Sequence, residues 1–218
     1  MINIAIDGPA GAGKSTVAKA VAKKLGFIYV DTGALYRSIG VNVLRHSVAT
    51  DDSEAVVSLL PETNVELKYI DGNQRVFLNG EDVSDEIRLP EASMAASNVS
   101  AIPEVRAFLL DLQRDMAKKN NVVMDGRDIG TVILPDAQYK FFLTATAEVR
   151  AERRYKELQE KGITVDFNEL LEEIKQRDYN DSHRATAPLK QADDAVYVDS
   201  SDLTLEEAIS AIADRIKV

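Results

Sequence analysis

Eight consecutive residues, Gly8-Pro9-Ala10-Gly11-Ala12-Gly13-Lys14-Ser15, have the types and spacing to hold a polyphosphate. They fit G-x-x-x-x-G-K-[ST], a loop whose backbone N–H groups curl around an anion. Glycine permits the curl because it has no Cβ. Lys14 supplies a mobile cation for the outer phosphates, and the Ser15 hydroxyl is a hard oxygen suited to Mg²⁺. The flanks agree. Asn3-Ile4-Ala5-Ile6-Asp7 reads as a short buried strand, and Ser15 to Leu25 as a helix with Val17, Val21 and Leu25 on one stripe. That helix adds its unsatisfied first N–H groups and the positive end of its dipole. A glycine-rich turn beside a solvated lysine is the bland alternative; strand, loop and helix together argue against it.

Other residues extend the same chemistry. Asp125 follows Val122-Val123-Met124 at a strand end, a position suited to holding Mg²⁺ directly or through water. Asp-Gly is also a common turn, so the loop beside it is what gives Asp125 weight. Asp7 and Asp31 are secondary candidates for the same task. Arginines recur near predicted element ends: Arg37, Arg106, Arg127, Arg153, Arg154, Arg177 and Arg184. A guanidinium grips phosphate with two hydrogen bonds and keeps its charge. Phosphoryl transfer spreads negative charge over the moving group, which converging arginines offset. Taken singly, each arginine reads equally well as a surface ion pair. His46 and His183 read as structural or surface residues. The chain has no H-R-D loop and no evident His–carboxylate pair, which suits an acceptor whose oxygen is already anionic.

These residues need a frame, and the pattern of the chain supplies one. Further short strands are expected at Ile28–Val30, Val122–Met124, Lys140–Leu143 and Ala195–Val198. Helices are expected over Ala34–His46, from Asp51 or Asp52 to Leu60, over Leu89–Ser100, from Pro103 through Met116, over Ala147–Lys161, and over Phe167–Ser182. Asp31-Thr32-Gly33 reads as the turn into the first of these. Thr204 and Glu207 form a capping box for a last helix. Short apolar strands alternating with helices predict a three-layer α/β/α fold around a five-stranded parallel sheet. From Val65 to Val83 the period changes to two, with Asp71-Gly72 and Asn79-Gly80 as hairpin signals, so a small antiparallel insert is expected there. Ligands of such sheets bind at the carboxyl ends of strands. The glycine loop, Asp31 and the Asp125–Asp128 run all follow strand ends, and one cleft lined by them is the expectation.

Composition narrows the partners. The 218 residues are 45% hydrophobic and suffice for one domain with an insert. A net charge of −10 argues against a polymeric nucleic acid, which requires a basic face. The absence of cysteine excludes disulfides and thiol catalysis and fits a reducing compartment. No apolar stretch approaches membrane-spanning length and no signal-like run precedes the first strand, so a cytoplasmic protein with no membrane partner is expected. Nothing demands more than a monomer.

Four runs together resemble the bacterial cytidylate kinases, a family of nucleoside monophosphate kinases. They are Ile6 to Thr16, Asp31-Thr32-Gly33-Ala34-Leu35-Tyr36-Arg37, Asp125-Gly126-Arg127-Asp128-Ile129-Gly130-Thr131, and Arg177-Asp178 through Arg184-Ala185-Thr186-Ala187-Pro188-Leu189. The first run is shared by many kinases; the other three are more specific, and the likeness runs nearly end to end. It implies one kinase domain over 1–218, a monophosphate-binding insert at 61–100 and a short helical lid at 150–165. It further implies ATP bound by Gly8 through Thr16 with Arg154, Mg²⁺ at Ser15 and Asp125, and CMP or dCMP as acceptor. Thr32, Arg37 and Arg127 would hold the CMP sugar or phosphate; family members often carry serine at the Thr32 position, and the hydroxyl is kept. Ser97, Arg106 and Asp128 would read cytosine, Arg177 and Asp181 would meet the sugar, and Arg184 would reach the transferring phosphate. Lys14, Arg127, Arg153 and Arg184 would form the catalytic set, with Arg153 and Arg154 in the lid.

Base chemistry gives these residue types a reason. Cytosine offers an amino donor at C4 and acceptors at N3 and O2, which match the Asp128 carboxylate and the Arg106 guanidinium. Uracil would set a carbonyl oxygen against the carboxylate. Rival readings are a kinase for another small phosphate acceptor such as UMP, a regulatory GTPase, and an ATP-binding module without turnover. The chain has neither the N-K-x-D nor the D-x-x-G motif of a GTPase. Lys14, Ser15, Asp125 and several arginines together argue for turnover. Replacing Asp128 by alanine is expected to erode the preference for CMP over UMP, since a buried hydrogen-bonding site rejects a mismatched analogue strongly. An unchanged ratio of the two kcat/KM values would remove the base-reading role.

Overall fold

The computed structural model describes residues 1–70 and 72–217. Close packing divides the chain into two units, one of residues 1–29 with the chain from 120 onward, the other of Val30–Lys119.

The first unit is built on parallel strands. β1 (Asn3–Asp7) lies between β6 (Val122–Gly126) and β7 (Tyr139–Thr144), and β8 (Val196–Asp199) flanks β7. With β2 (Ile28–Asp31) beside β6, the five-stranded order is β2-β6-β1-β7-β8. Register runs from Asn3 opposite Val122 to Asp7 opposite Gly126, and from Ile4 opposite Tyr139 to Asp7 opposite Phe142. Ile4, Ala5, Ile6, Val122, Val123 and Met124 are all fully buried, as strands covered on both faces must be. Helix α1 (Lys14–Leu25) and helix α8 (Leu205–Ala213) bring Val17, Val21 and Ile212 onto Ile4, Ile6, Val123 and Phe141. Helix α6 (Ala147–Glu160) starts at Thr146, whose hydroxyl accepts from Val149 N, and α7 (Phe167–His183) starts at Asp166. The Thr204–Glu207 capping box of α8 is present.

One element had no sequence signal. After β6 the chain makes a wide π-type turn, Ile129–Ile133, in which Ile133 N and Leu134 N each bond five residues back, to Asp128 O and Ile129 O. Such turns are uncommon and gather at functional sites.

The second unit has its own core, formed by Leu35, Ile39, Val56, Leu78, Ile87, Val105 and Leu109 among others. Its helices are α2 (Thr32–Arg45), α3 (Ser53–Leu59), α4 (Pro90–Val99) and α5 (Pro103–Lys119). α2 begins two residues earlier than the sequence pattern suggests. Asp31 is its N-cap, accepting from Ala34 N at 2.9 Å, so Thr32 and Gly33 belong to the first turn. Of the two acids expected before α3, Asp52 is the cap. The insert is a three-stranded antiparallel sheet of β3 (Val65–Ile70), β4 (Asn73–Leu78) and β5 (Glu81–Asp82). Asn79 and Gly80 both have positive φ, 50° and 85°, as the tight turn between β4 and β5 requires. Asp71, half of the other expected turn, lies outside the described residues.

Candidate active site

In the first unit the glycine loop joins β1 to α1. Gly8, Gly11 and Gly13 all take positive φ. At Gly8 the constraint is absolute, because a Cβ would stand 1.9 Å from the Leu143 carbonyl oxygen. Gly13 is the N-cap of α1 and offers no side-chain acceptor, so the first amides of the helix are left for an anion. Lys14 is 6% exposed, and its Nζ donates to the Pro9 carbonyl at 2.7 Å. Burial first, then the neighbouring Arg127 charge, brings the Lys14 ammonium down to about 7.

Behind the loop, Ser15 Oγ donates to Asp125 Oδ2 at 2.9 Å, and the Tyr29 hydroxyl donates to Asp125 Oδ1 at 2.8 Å. Asp125 is buried at the end of β6. A hydroxyl and a carboxylate oxygen in contact are hard donors that fit Mg²⁺, which keeps several waters and takes phosphate oxygens as well. No group of three or more His, Cys, Asp or Glu side chains able to hold a metal occurs among the described residues. Asp7 is a poor ligand, since its two oxygens accept from Ile129 N and Gly130 N at 2.7 Å each. Burial pushes its carboxyl up to about 7 against the pull of those two bonds.

The turn after β6 and helix α7 bring charged groups together in the same unit. Arg127 Nε donates to Asp181 Oδ2 at 2.8 Å, and Arg184 Nη2 lies 3.7 Å from Asp128 Oδ1. Burial would raise the Asp181 carboxyl, but Arg127, with Arg177 and Arg184 behind it, leaves it below its ordinary value. Three guanidinium groups against two carboxylates leave this cluster positive, and both Arg127 and Asp181 act on Lys14. Arg153 and Arg154 are engaged elsewhere. Arg153 Nη2 donates to Ser200 O at 2.6 Å, and Arg154 pairs with Glu157 one turn along α6.

Sequence reasoning missed Tyr29 and, more consequentially, Arg150. Arg150 is buried under the glycine loop, donating from Nε to Ala145 O at 2.9 Å and from Nη1 to Ala10 O at 3.0 Å. Its guanidinium also grips both oxygens of Asp178 on α7. One side chain thus ties the end of β7, the loop and the arginine-bearing helix. The available signal was its place beside Ala151 on the sparse buried face of a highly charged helix.

In the second unit, Thr32 is buried at the start of α2. Arg37 Nη2 donates to Asp31 Oδ2 at 2.9 Å, and Arg88 Nη1 reaches the same oxygen at 3.3 Å. Gln74 accepts from Asp31 N at 2.9 Å. The buried Arg37 Nε has no hydrogen-bond partner, leaving a donor for a ligand. Arg106, also buried, donates to Ser100 O, packs 5.4 Å over the Tyr36 ring, and is joined through Ser100 to Ser97.

A family model described as cytidylate kinase matches residues 4–218. A cytidylate kinase from Caldicellulosiruptor saccharolyticus is 55% identical over 213 residues, covering 98% of this chain and 94% of the relative. One from Caldanaerobacter subterraneus subsp. tengcongensis is 56% identical over 216 residues, covering 99% and 95%. Among solved structures, an uncharacterized protein from Eubacterium ventriosum superposes with a TM-score of 0.52 at 16% identity over 99% of this chain and 100% of that one, a likeness of fold.

The Arg150 tie makes a stability prediction. Arg150→Met leaves Asp178 and two carbonyls without their donor, and breaking a buried pair in this way costs about 3–5 kcal/mol. The lower end applies, because the Asp178 side chain is 27% exposed. Adding Asp178→Leu should restore part of the loss. Denaturant unfolding checks both, and a single variant within about 1 kcal/mol of the parent would refute the tie.

Proposed function

The chain belongs to the cytidylate kinase family, and from that premise we propose that it moves the γ-phosphoryl group of ATP onto CMP or dCMP, releasing ADP and CDP or dCDP. The observation that best supports this reading is the buried Lys14 ammonium at the glycine loop, acted on by the Arg127 and Asp181 charges of a cluster that also draws in Arg177 and Arg184. A site for an uncharged acceptor would have little use for that surplus of guanidinium.

In the proposed reaction an anionic oxygen of the acceptor phosphate attacks the γ-phosphorus. A new P–O bond forms as the bond to the β,γ-bridging oxygen breaks, and ADP leaves with that oxygen's charge. The attacking oxygen carries no proton, so no general base is required. Residues Gly8 to Thr16 cradle the donor phosphates, with Arg154 at the nucleotide. Lys14 spans the outer phosphates. Ser15 and Asp125 would hold Mg²⁺, whose charge offsets that of the β and γ oxygens when it is bound. Arg127, Arg153 and Arg184 stabilise the charge spread over the moving group. Arg153 would exchange its bond to Ser200 for this contact.

For the acceptor, Thr32 and Arg37 take the sugar and phosphate, and Arg177 and Asp181 the sugar. Ser97, Arg106 and Asp128 read cytosine. Segment 61–100 acts as the monophosphate-binding insert and 150–165 as the lid, within a monomer. The UMP alternative is not favoured by relatives named cytidylate kinase.

The direct test is coupled ADP release with CMP, dCMP, UMP and AMP as acceptors in the presence of magnesium. CMP and dCMP should be turned over with kcat/KM at least about tenfold above UMP, and AMP should be inert. A preference for UMP, or no ADP with CMP, would refute the proposal.

A further inference from the structure

The wide turn after β6 is capped from an unexpected direction. Its N-cap position is Asp128, a residue type favoured there because its own carboxylate accepts from an amide two or three residues on. Asp128 makes no such bond. The first two amides of the turn, Ile129 N and Gly130 N, instead donate to Asp7 Oδ1 and Oδ2, each at 2.7 Å. Asp7 stands at the end of β1, in register with Gly126, and is 4% exposed. Gly130 makes the approach feasible, since a Cβ there would sit 3.3 Å from Asp7 Oδ2 and 3.2 Å from the Lys140 side chain. Val132 N and Ile133 N close the turn onto the Asp128 carbonyl at 2.9 and 3.1 Å.

A carboxylate that caps its own turn points back at its own backbone. Capping from β1 spares Asp128 this task, and its Oδ1 faces Arg184 instead. We propose that Asp7 is a positioning residue, capping the 129–133 turn in place of Asp128 and so holding the Asp128 carboxylate where it reads the nucleobase. This rests on the assignment of Asp128 as the group that meets the cytosine amino. Removing the Asp7 acceptor leaves two buried amides unpaired, a state that proteins avoid. The nearest replacement is the Asp128 carboxylate, which would turn inward and leave the base.

The test is a kinetic cycle of the parent, Asp7→Asn, Asp128→Asn and the double variant, with CMP and UMP as acceptors. Asp7→Asn sets an amide donor against one of the two N–H groups. It should lower the CMP:UMP ratio of kcat/KM at least about tenfold. The double variant should discriminate no worse than Asp128→Asn alone, because Asp7 acts through Asp128. A purely structural Asp7 would depress both acceptors together, leave the ratio intact and overturn the proposal, as would additive losses in the double variant. If Asp128→Asn itself leaves the ratio unchanged, the base-reading assignment fails and takes the proposal with it. If Asp7→Asn does not fold, Gly130→Ala presses on the same contact; the same loss of ratio is expected, and an unchanged ratio refutes the proposal.

Discussion

The first unit is arranged around a cation that burial has left short of compensation. Lys14 is enclosed, with the Pro9 carbonyl as its close partner. A buried ammonium is costly unless opposite charge offsets it. Asp125, Asp7 and Asp181 pull its proton affinity up, but burial and Arg127 outweigh them. On the proposed reading, an incoming polyphosphate would complete that compensation. The Pro9 carbonyl of the glycine loop holds the ammonium, and the Arg150 tie holds that loop at Ala10.

In each unit, acids at strand ends work as holders. Asp125 accepts from Ser15 and Tyr29, and Asp7 accepts from two backbone amides. In the second unit, Asp31 accepts from Ala34 N while pairing with Arg37. Each uses both oxygens, so each fixes the geometry of at least two groups at once. The groups fixed are the Ser15 hydroxyl, the Arg37 guanidinium and the turn that follows Asp128.

Much of this frame was legible in the sequence because local chemistry determined it. The glycine loop, the apolar strands, an acidic cap at Asp51 or Asp52, the Thr204–Glu207 box and the Asn79-Gly80 turn each depend on residues within a few positions of one another. What escaped notice depends on contacts across the chain. Asp125, Asp31 and Asp7 all follow apolar strands, and no spacing says which of them anchors a hydroxyl, caps a helix or caps a distant turn. Asp7 meets its turn 122 residues away. Arg150 reaches Asp178 and Ala10 at separations of 28 and 140 residues, and in a helix dense in charge its place beside Ala151 is the one local sign that it points inward. Arg153 and Arg154 look alike in sequence, yet one reaches the loop after β8 and the other pairs within its own helix.

The most direct test of the central claim is an NMR titration of the Lys14 side chain, free and saturated with a non-hydrolysable ATP analogue. A depressed lysine is neutral above its folded value, and a bound polyanion restores the charged form, so the midpoint must rise on binding. The account predicts a midpoint near 7 in the free protein and one above about 9 in the complex. A free-protein midpoint near the ordinary 10.5, unmoved by the nucleotide, would contradict it.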